Sequence, residues 1–366
     1  MYFKNLFALR FIGAFAVILG HIEFIKSLRG IPNINHFAFY KNTNGHMGVI
    51  LFFVLSGFLI TYLLVNEQEG TNKINLKRFY FRRIIRIWPI YYIMIFISLI
   101  ILPNLYLYLK VPHLEYSNEG ILYYFLILPN VSKALGYFYD GAVHLWSIGV
   151  EEQFYLIWPV LLFLFKRYKL MLLIGIFISI SISPTLIWYL KSHHLFFENN
   201  ESGFKSLESF LLQLKINSMA LGGIIGVGIF YNKKWMKFIQ NNFVGIPVIM
   251  MTAFFWFSGK TFGLYTDEFY SILFAITIAY LVNEKMTIIN LEHKLFNFLG
   301  KISYGLYVYH WLIILLFINL LNYCAISNEI IYNILLYFLV ISFTILVSWF
   351  SYEKIEKRFL KLKEKY

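Results

Sequence analysis

The chain has 366 residues, of which 59% are hydrophobic, 20% are aromatic and only 14% are charged. Soluble globular proteins have roughly 25% charged residues, so this composition excludes a soluble domain and indicates a surface that faces mostly lipid. The net charge of +13 does not indicate nucleic-acid binding, because cytoplasmic loops of membrane proteins carry an excess of Lys and Arg. The single Cys324 cannot form an intrachain disulfide, and no Cys and His spacing is typical of a metal site.

Apolar segments long enough to cross a bilayer, about 20 residues each, follow one another along the chain. We predict ten spans, near residues 6–25, 46–65, 84–103, 144–165, 170–190, 211–230, 243–258, 267–283, 298–321 and 329–350. A further apolar stretch, Gly120 to Val131, is too short to span and predicts an interfacial or re-entrant segment. The predicted fold class is therefore an all-α, polytopic membrane bundle, with one domain over residues 1–359 and a short basic cytoplasmic tail over 360–366.

The distribution of basic residues predicts the orientation of this bundle. With ten spans both termini lie on the same side of the membrane. If the N-terminus is cytoplasmic, 23 of the 32 Lys and Arg residues fall in inner segments and 9 fall in outer segments. Because cytoplasmic segments are enriched in Lys and Arg, we expect both termini in the cytoplasm.

The first span contains two ionisable residues, which are costly inside a membrane and therefore mark functional candidates. Arg10 and His21 are eleven residues apart, which is about 16 Å along a helix. Arg10 lies near the inner face and His21 lies toward the outer face. Alternatively, Arg10 reaches the inner headgroups and His21 only ends the helix.

The second span contains small residues and a histidine. Gly48, Ser56 and Gly57 allow a neighbouring helix to approach closely, and we predict a packing role for them. His46 lies at the outer rim of this span, at the depth of His144.

Six basic residues lie between Lys73 and Arg86, and the three nearest the third span are Arg82, Arg83 and Arg86. Spacings of three and four place Arg86 on one helix face with each of the other two. Such a fork of guanidinium groups can bind phosphate bidentately. The alternative is an anchor at the inner membrane face, which needs positive charge but no particular side chain.

The fourth span begins with His144 and Trp146 and contains Glu151 and Glu152. Adjacent helix positions point about 100° apart, so at least one carboxylate must face a cation, a proton donor or water instead of lipid. The alternative to a functional role is interhelical pairing with Arg10 or His21.

The ninth span contains Ser303, Tyr304, Tyr307 and His310. Ser303, Tyr307 and His310 share one helix face through spacings of four and three. His310 lies mid-membrane in this topology. Its alternative role is a structural one, with the ring hydrogen-bonded to a neighbouring tyrosine hydroxyl.

Taken in order, these motifs resemble one known family. They are Arg10-x10-His21, Gly48-Val-x-x-Phe-Phe-x-Leu-Ser-Gly-Phe58, Arg83-x-x-Arg86 before Trp88-Pro89, His144-x-Trp146-x4-Glu151-Glu152-Gln153-Phe154-Tyr155, and Ser303-Tyr304-x-x-Tyr307-x-x-His310. Together they resemble the integral-membrane acyltransferase 3 family, whose members O-acylate cell-surface glycans and other extracytoplasmic acceptors. The resemblance extends to Ser351-Tyr-x-x-Ile-Glu356, where the family often has Pro after the Glu and this chain has Lys357.

The resemblance implies a donor and a set of residue roles. The donor is cytoplasmic acyl-CoA, most commonly acetyl-CoA, which acts as a co-substrate and not as a permanently bound cofactor. Its binding residues are Arg83 and Arg86, with Arg10 facing the same side and Arg82 assisting. His21 takes the proton from an acceptor hydroxyl or carries the acyl group covalently, and Glu151 or Glu152 orients it. Acceptor-binding or supporting roles fall to His144, Trp146, Ser303, Tyr304, Tyr307 and His310.

The resemblance also implies a location and partners. We expect a multi-pass bacterial protein of the inner, cytoplasmic membrane, with membrane lipid around it. Its acceptor is a cell-surface or lipid-linked glycan, such as lipopolysaccharide or another polysaccharide. Many members carry a fused extracytoplasmic SGNH domain after the last span. This sequence ends at Tyr366, so we expect the membrane domain to complete transfer itself or to pass the acyl group to a separate SGNH-type partner.

Two other classes of protein fit intramembrane His, Glu and Arg. A secondary transporter uses them as a proton relay and predicts broken helices in matching halves of the chain, which the sequence does not contain. A scaffold of a glycan-synthesis complex uses them as contacts between helices. Binding of acetyl-CoA that depends on Arg83 and Arg86 separates the acyltransferase from both.

Overall fold

The computed structural model describes residues 2–33, 43–109, 118–193 and 201–362, and every regular element in these ranges is a helix. The helices are α1 (Leu6–Leu28), α2 (Thr43–Thr71), α3 (Leu76–Phe96), α4 (Leu102–Leu109), α5 (Asn118–Phe125), α6 (Pro129–Ala134), α7 (Trp146–Leu164), α8 (Lys169–Ser192), α9 (Glu201–Gln213), α10 (Ile216–Phe230), α11 (Lys234–Ile239), α12 (Asn242–Ser258), α13 (Thr266–Leu281), α14 (Lys294–Lys301), α15 (Ser303–Tyr323), α16 (Glu329–Ser351) and α17 (Lys357–Lys361). Short π-helical turns at Ile97–Ile101 and Tyr352–Glu356 join α3 to α4 and α16 to α17.

Eight helical segments of the described chain are long and apolar enough to cross a membrane: Leu6–Leu28, Asn44–Thr71, Leu76–Leu105, Val143–Leu164, Lys169–Ser192, Ser202–Phe230, Ser303–Tyr323 and Glu329–Lys361. The seventh and eighth predicted spans correspond to α12 and α13, which have only 17 and 16 residues. At about 1.5 Å per residue these two helices are shorter than a hydrocarbon core of about 30 Å. The all-α, polytopic membrane fold is confirmed, whereas the count of ten and the cytoplasmic termini stay predictions.

The short apolar stretch from Gly120 to Val131 forms two helices, α5 and α6, and neither is long enough to span. The chain breaks between them at Ile127, whose φ is +59°, and α6 begins at Pro129. Proline is favoured at the first turn of a helix because it has no N–H to leave unpaired. Asn130 and Gln153 then join α6 to α7 through two amide hydrogen bonds of 3.2 and 3.1 Å.

Helix α2 packs between α1 and α10, and small residues permit the close contact. A Cβ atom on Gly57 would lie 1.9 Å from the carbonyl oxygen of Met219, and one on Gly48 would lie 2.6 Å from that of Gly13. The predicted packing role of these two glycines agrees with these contacts. Ser56 differs, because its hydroxyl donates a hydrogen bond to Glu151.

The division into a domain over 1–359 and a tail over 360–366 stays a prediction. Helix α17 runs through this boundary to Lys361. Residues 363–366 of the predicted tail lie outside the described residues.

Substituting Gly57 by Ala should destabilise the bundle, because the added methyl group collides with the backbone of α10. We expect the free energy of unfolding to fall by about 3 kcal/mol, measured as a lower apparent melting temperature in detergent. Gly70 is the matched control on α2, since nothing lies within 4 Å of a Cβ placed there. Gly70→Ala should change the stability by less than about 1 kcal/mol. Equal melting temperatures for the two variants would contradict this packing.

Candidate active site

A small cavity of about 90 Å³ with both polar and apolar lining lies between α1, α2, α3, α7 and α15, and we call it the arginine chamber. Its polar lining consists of Arg10, Ser56, Arg83, Arg86, Ser147, Glu151, Tyr155, Ser303, Tyr304 and Tyr307. Three guanidinium groups therefore face one carboxylate, that of Glu151. Among the described residues, none of these three arginines forms an ion pair with a carboxylate. The lining therefore has more cationic than anionic side chains, and two further glutamates outside the lining, Glu152 and Glu356, lie near Arg83 and Arg86.

Hydrogen bonds and ring contacts hold the chamber side chains in place. Glu151 accepts hydrogen bonds from the hydroxyls of Ser56 and Tyr155. The guanidinium of Arg83 lies over the rings of Phe79 and Tyr155, 5.6 and 5.5 Å from their centroids. Its buried Nε has no hydrogen-bond partner within the described part of the chain. These contacts orient Arg83 and leave its buried Nε without a described partner.

Tyrosines of α15 close the other wall of the chamber. Tyr304 donates a hydrogen bond of 2.8 Å to the carbonyl of Ile87. Tyr307 donates one of 2.7 Å to the carbonyl of His144, and its hydroxyl lies 2.6 Å from that of Ser147. These bonds join α15 to α3 and to the start of α7.

Two predicted site residues lie next to the chamber and do not line it. Trp88 donates a hydrogen bond of 3.0 Å to Oε2 of Glu152, whose buried Oε1 has no partner among the described residues. Arg82 is half-buried beside Arg83, and its Nε also lacks a described partner.

A second, larger cavity of about 940 Å³ opens farther along the same helices, and we call it the histidine vestibule. His21, His46, His144, Trp146 and Trp311 line it. Nδ1 of His21 lies 2.7 Å from Nε2 of His310, and the two rings are parallel within 5° at a centroid distance of 5.0 Å. His310 is fully buried behind His21.

The third buried histidine has a fixed tautomer. Nε2 of His144 lies 3.0 Å from the carbonyl oxygen of Val308, and because a carbonyl only accepts, this nitrogen carries the proton. The His144 ring stacks on Trp311 at 5.5 Å and meets His310 edge-on at 5.0 Å. Within the described chain, no group of three His, Cys, Asp or Glu residues is arranged to hold a metal ion. The rings of His21, His144 and His310 form a hydrogen-bonded and stacked cluster with Trp311.

Charged residues line the mouth of the vestibule. Lys215 and His46 both contact Asp267, at 2.7 and 3.0 Å. Lys133 extends from α6 over the face of Trp146, with Nζ 4.6 Å from the ring centroid.

Four helices contribute to both cavities, which places the cavities on opposite sides of a thin wall. Helix α1 provides Arg10 to the chamber and His21 to the vestibule, and Val49 of α2 lines both. At the start of α7, Trp146 lines the vestibule and Ser147 lines the chamber. On α15, Tyr307 lines the chamber and Trp311 lines the vestibule. Only about one helical turn separates the two cavities at this level.

The expected contact between His21 and the glutamates is wrong. In the structure His21 faces α15 and bonds to His310, whereas Glu151 bonds within the chamber and Glu152 bonds to Trp88. His144, in the short turn that leads into α7, lies at the vestibule, and Glu151 and Glu152 of α7 lie about two helical turns farther along. The alternative role for His310, a bond to a tyrosine hydroxyl, is also wrong, because Tyr307 bonds to His144.

Comparison with known proteins identifies the family of the chain. A family model described as an acyltransferase domain, the acyltransferase 3 family, matches residues 3–353. The chain belongs to this family.

The relatives of this acyltransferase 3 chain include several staphylococcal proteins. The chain is 30% identical to the protein named "Putative O-acetyltransferase SACOL0978" of Staphylococcus aureus strain COL, over 93% of the chain and 58% of the relative. It is also 30% identical to the O-acetyltransferase OatA of S. aureus strain NCTC 8325, over 91% of the chain and 56% of OatA. The chain thus spans little more than half the length of these relatives. No solved structure gives a significant match.

Several residues of this acyltransferase 3 site were not predicted as site residues. Ser56 was assigned to packing, and Lys133, Lys215, Asp267 and Trp311 were not singled out. For two of them the sequence position was an indication: Asp267 begins a predicted span, and Lys133 follows the short apolar stretch. Ionisable residues at such positions need partners, as those inside spans do.

The ion pair between Asp267 and Lys215 should contribute to stability, because both side chains are only 13% exposed. Asp267→Asn leaves a mostly buried ammonium without its counterion. We expect a cost of about 3 kcal/mol and an apparent melting temperature about 4 °C lower. The control is Glu284→Gln, which breaks a pair with Lys4 whose side chains are 53% and 46% exposed. That variant should melt within about 1 °C of the unmodified protein, and an equal loss in both variants would contradict the assignment.

Proposed function

We propose that this domain is a membrane O-acyltransferase that moves an acyl group, in the first instance acetyl, from cytoplasmic acyl-CoA to a hydroxyl of a cell-surface or lipid-linked glycan. The observation that carries the proposal is the arginine chamber, where three guanidinium groups face a single carboxylate. The names of the staphylococcal relatives support acetyl as the acyl group. The inner membrane as location follows from the predicted topology and the cytoplasmic donor.

The chamber suits the anionic part of an acyl-CoA donor. Phosphate oxygens accept several hydrogen bonds, and guanidinium groups supply paired donors in a matching planar geometry. A cavity of about 90 Å³ is smaller than the pockets of about 300–1,000 Å³ that hold whole cofactors. Only part of the donor therefore occupies the chamber: phosphate groups contact the arginines, and the adenosine lies outside.

The wall at Val49 is the proposed route from donor to acceptor. Because Val49 lines both cavities, a thioester that extends along α2 from the arginines reaches the level of the vestibule there. The acceptor glycan enters the vestibule, whose volume of about 940 Å³ admits sugar rings. Donor and acceptor thus approach His21 from opposite directions, and neither has to cross the whole membrane.

His21 is the proposed base at the meeting point. When its Nδ1 donates to Nε2 of His310, the 2.7 Å hydrogen bond leaves Nε2 of His21 with a free lone pair. That nitrogen takes the proton of an acceptor hydroxyl as the oxygen attacks the thioester carbonyl. The carbon–sulfur bond then breaks, and the CoA sulfur leaves and takes up the proton from His21. A covalent acyl-histidine that is transferred in a second step uses the same nitrogen.

Binding of acetyl-CoA tests the donor assignment. We expect Arg83→Ala and Arg86→Ala, each in nanodiscs, to bind acetyl-CoA at least about tenfold more weakly in calorimetric titration, because each removes a charged hydrogen-bond donor to phosphate. Arg78→Ala is the matched control: Arg78 lies exposed on the same helix and does not line the chamber. It should stay within about twofold of the unmodified protein. Full affinity in the Arg83 and Arg86 variants would favour a transporter or a scaffold.

Acetyl transfer tests the role of the two histidines. His21→Ala should lower the transfer rate by at least about 100-fold while acetyl-CoA binding is kept. His310→Ala should lower it by about tenfold, and His310→Gln should recover part of the loss, because the glutamine side chain can place an acceptor oxygen near the position of Nε2. His193→Ala, at the exposed end of α8, is the control and should be unchanged. A fully active, correctly folded His21→Ala protein would disprove the assignment.

A further inference from the structure

Lys133 is a cation in the vestibule that has no counterion. Within the described chain no carboxylate forms an ion pair with it, and the contact of its ammonium group is with the face of Trp146. The side chain is half-buried at the cavity wall. A cation held in this way has hydrogen-bond donors to spare for an anion that enters the cavity.

The other charges at the vestibule differ from Lys133. Asp267 is shared by Lys215 and His46, so the ammonium of Lys215 is already neutralised. Asp140 pairs with Arg29 at 3.6 Å. Glu208 also lines the cavity, on α9, but it forms no ion pair with Lys133. Of the two lysines in this cavity whose contacts are described, Lys133 and Lys215, Lys133 is the one without a carboxylate partner among the described residues.

The backbone beneath Lys133 is held firmly. Asn130, one helical turn earlier on α6, is fully buried and exchanges two amide hydrogen bonds with Gln153 of α7. A Cβ on Gly149 would lie 2.6 Å from the side-chain oxygen of Asn130, so the two helices are in close contact. Lys133 and Trp146 therefore form a rigid pair in which a charged group lies beside an aromatic surface. Aromatic surfaces and charged donors together are typical of sites that hold a polar ligand in one orientation.

We propose that Lys133 binds an anionic group of the acceptor, a carboxylate or a phosphate ester on the glycan whose hydroxyl is acylated at His21. This inference rests on the proposed function, because it assigns the vestibule to the acceptor. The anion on Lys133 fixes which hydroxyl of the glycan reaches His21. The substrate class is therefore an acidic glycan or a glycan phosphate, and neutral glycans bind less well.

The pH dependence of binding provides a second readout. Burial, together with the nearby charge of Lys215, lowers the pKa of Lys133 to about 8. The other titratable groups that line the cavity are Lys205, Lys215, His21, His46, His144, Asp140, Glu208 and Asp267. Lys133 is charged below this pKa and loses its charge above it, so the preference for an anionic sugar should decline as the pH rises from 7 to 9.

The test uses the full chain in nanodiscs of phosphatidylcholine, which carries no net charge to compete. The probes are cellobiose, cellobiouronic acid and cellobiose 6′-phosphate, and their affinities are measured by NMR titration at low salt. We expect at least one charged sugar to bind about tenfold more tightly than cellobiose at pH 7. The two charged probes distinguish a carboxylate from a phosphate as the natural group.

Two variants test whether Lys133 causes the preference for charged sugars. Lys133→Gln should reduce the preference to less than about twofold, whereas Lys260→Gln, an exposed control that does not line the vestibule, should keep it. Equal affinity for the three sugars, including no detectable binding of any, would overturn the proposal, as would a preference that survives in Lys133→Gln. This outcome is separate from the proposed function, because acetyl-CoA binding depends on the arginine chamber and is measured without sugar.

Discussion

Charged side chains inside a membrane must be surrounded by protein, and this constraint organises the bundle. Three arginines and a glutamate lie at the level of the chamber, and exposure to hydrocarbon would cost several kcal/mol for each charge. Helices α1, α2, α3, α7 and α15 close around them. The glycine contacts of α2 bring α1 and α10 against it, and the aromatic rings beside Arg83 replace part of the hydration that it lacks.

The same constraint explains why the two cavities share their helices. Each of α1, α2, α7 and α15 contributes residues to both cavities, and α2 lies in the centre of the bundle with its apolar side chains packed against other helices. The result is a chamber for an anion and a vestibule for a polar ligand, with the imidazoles of His21 and His310 beside the wall between them. A continuous channel would let ions and water leak across the membrane. In the proposed mechanism the acyl group passes from donor to acceptor at the thin wall beside Val49, so no continuous channel is needed.

The long apolar helices, which a lipid environment requires, could be predicted from the sequence. All ten predicted spans fall largely on helices, although 211–230 and 298–321 each begin in a shorter preceding helix. A run of about 20 apolar residues leaves the backbone no other way to satisfy its hydrogen bonds in hydrocarbon. The arginines of the chamber could be predicted as a group because Arg83 and Arg86 share a helix face. Pairings between helices could not be predicted: His21 bonds to His310, which is 289 residues away. The partners that the resemblance implies for His21, the glutamates of α7, bond elsewhere. Lys133 was missed because its role depends on the fold of two short helices that do not span.

The most direct test of the central claim is a cryo-EM structure of the domain in nanodiscs with a non-hydrolysable acetyl-CoA analogue. We expect phosphate density against Arg83 and Arg86, with the acyl end at the level of Val49 and directed toward His21. Density for the analogue in the vestibule with the chamber empty, or an acyl end that points away from the histidines, would contradict it.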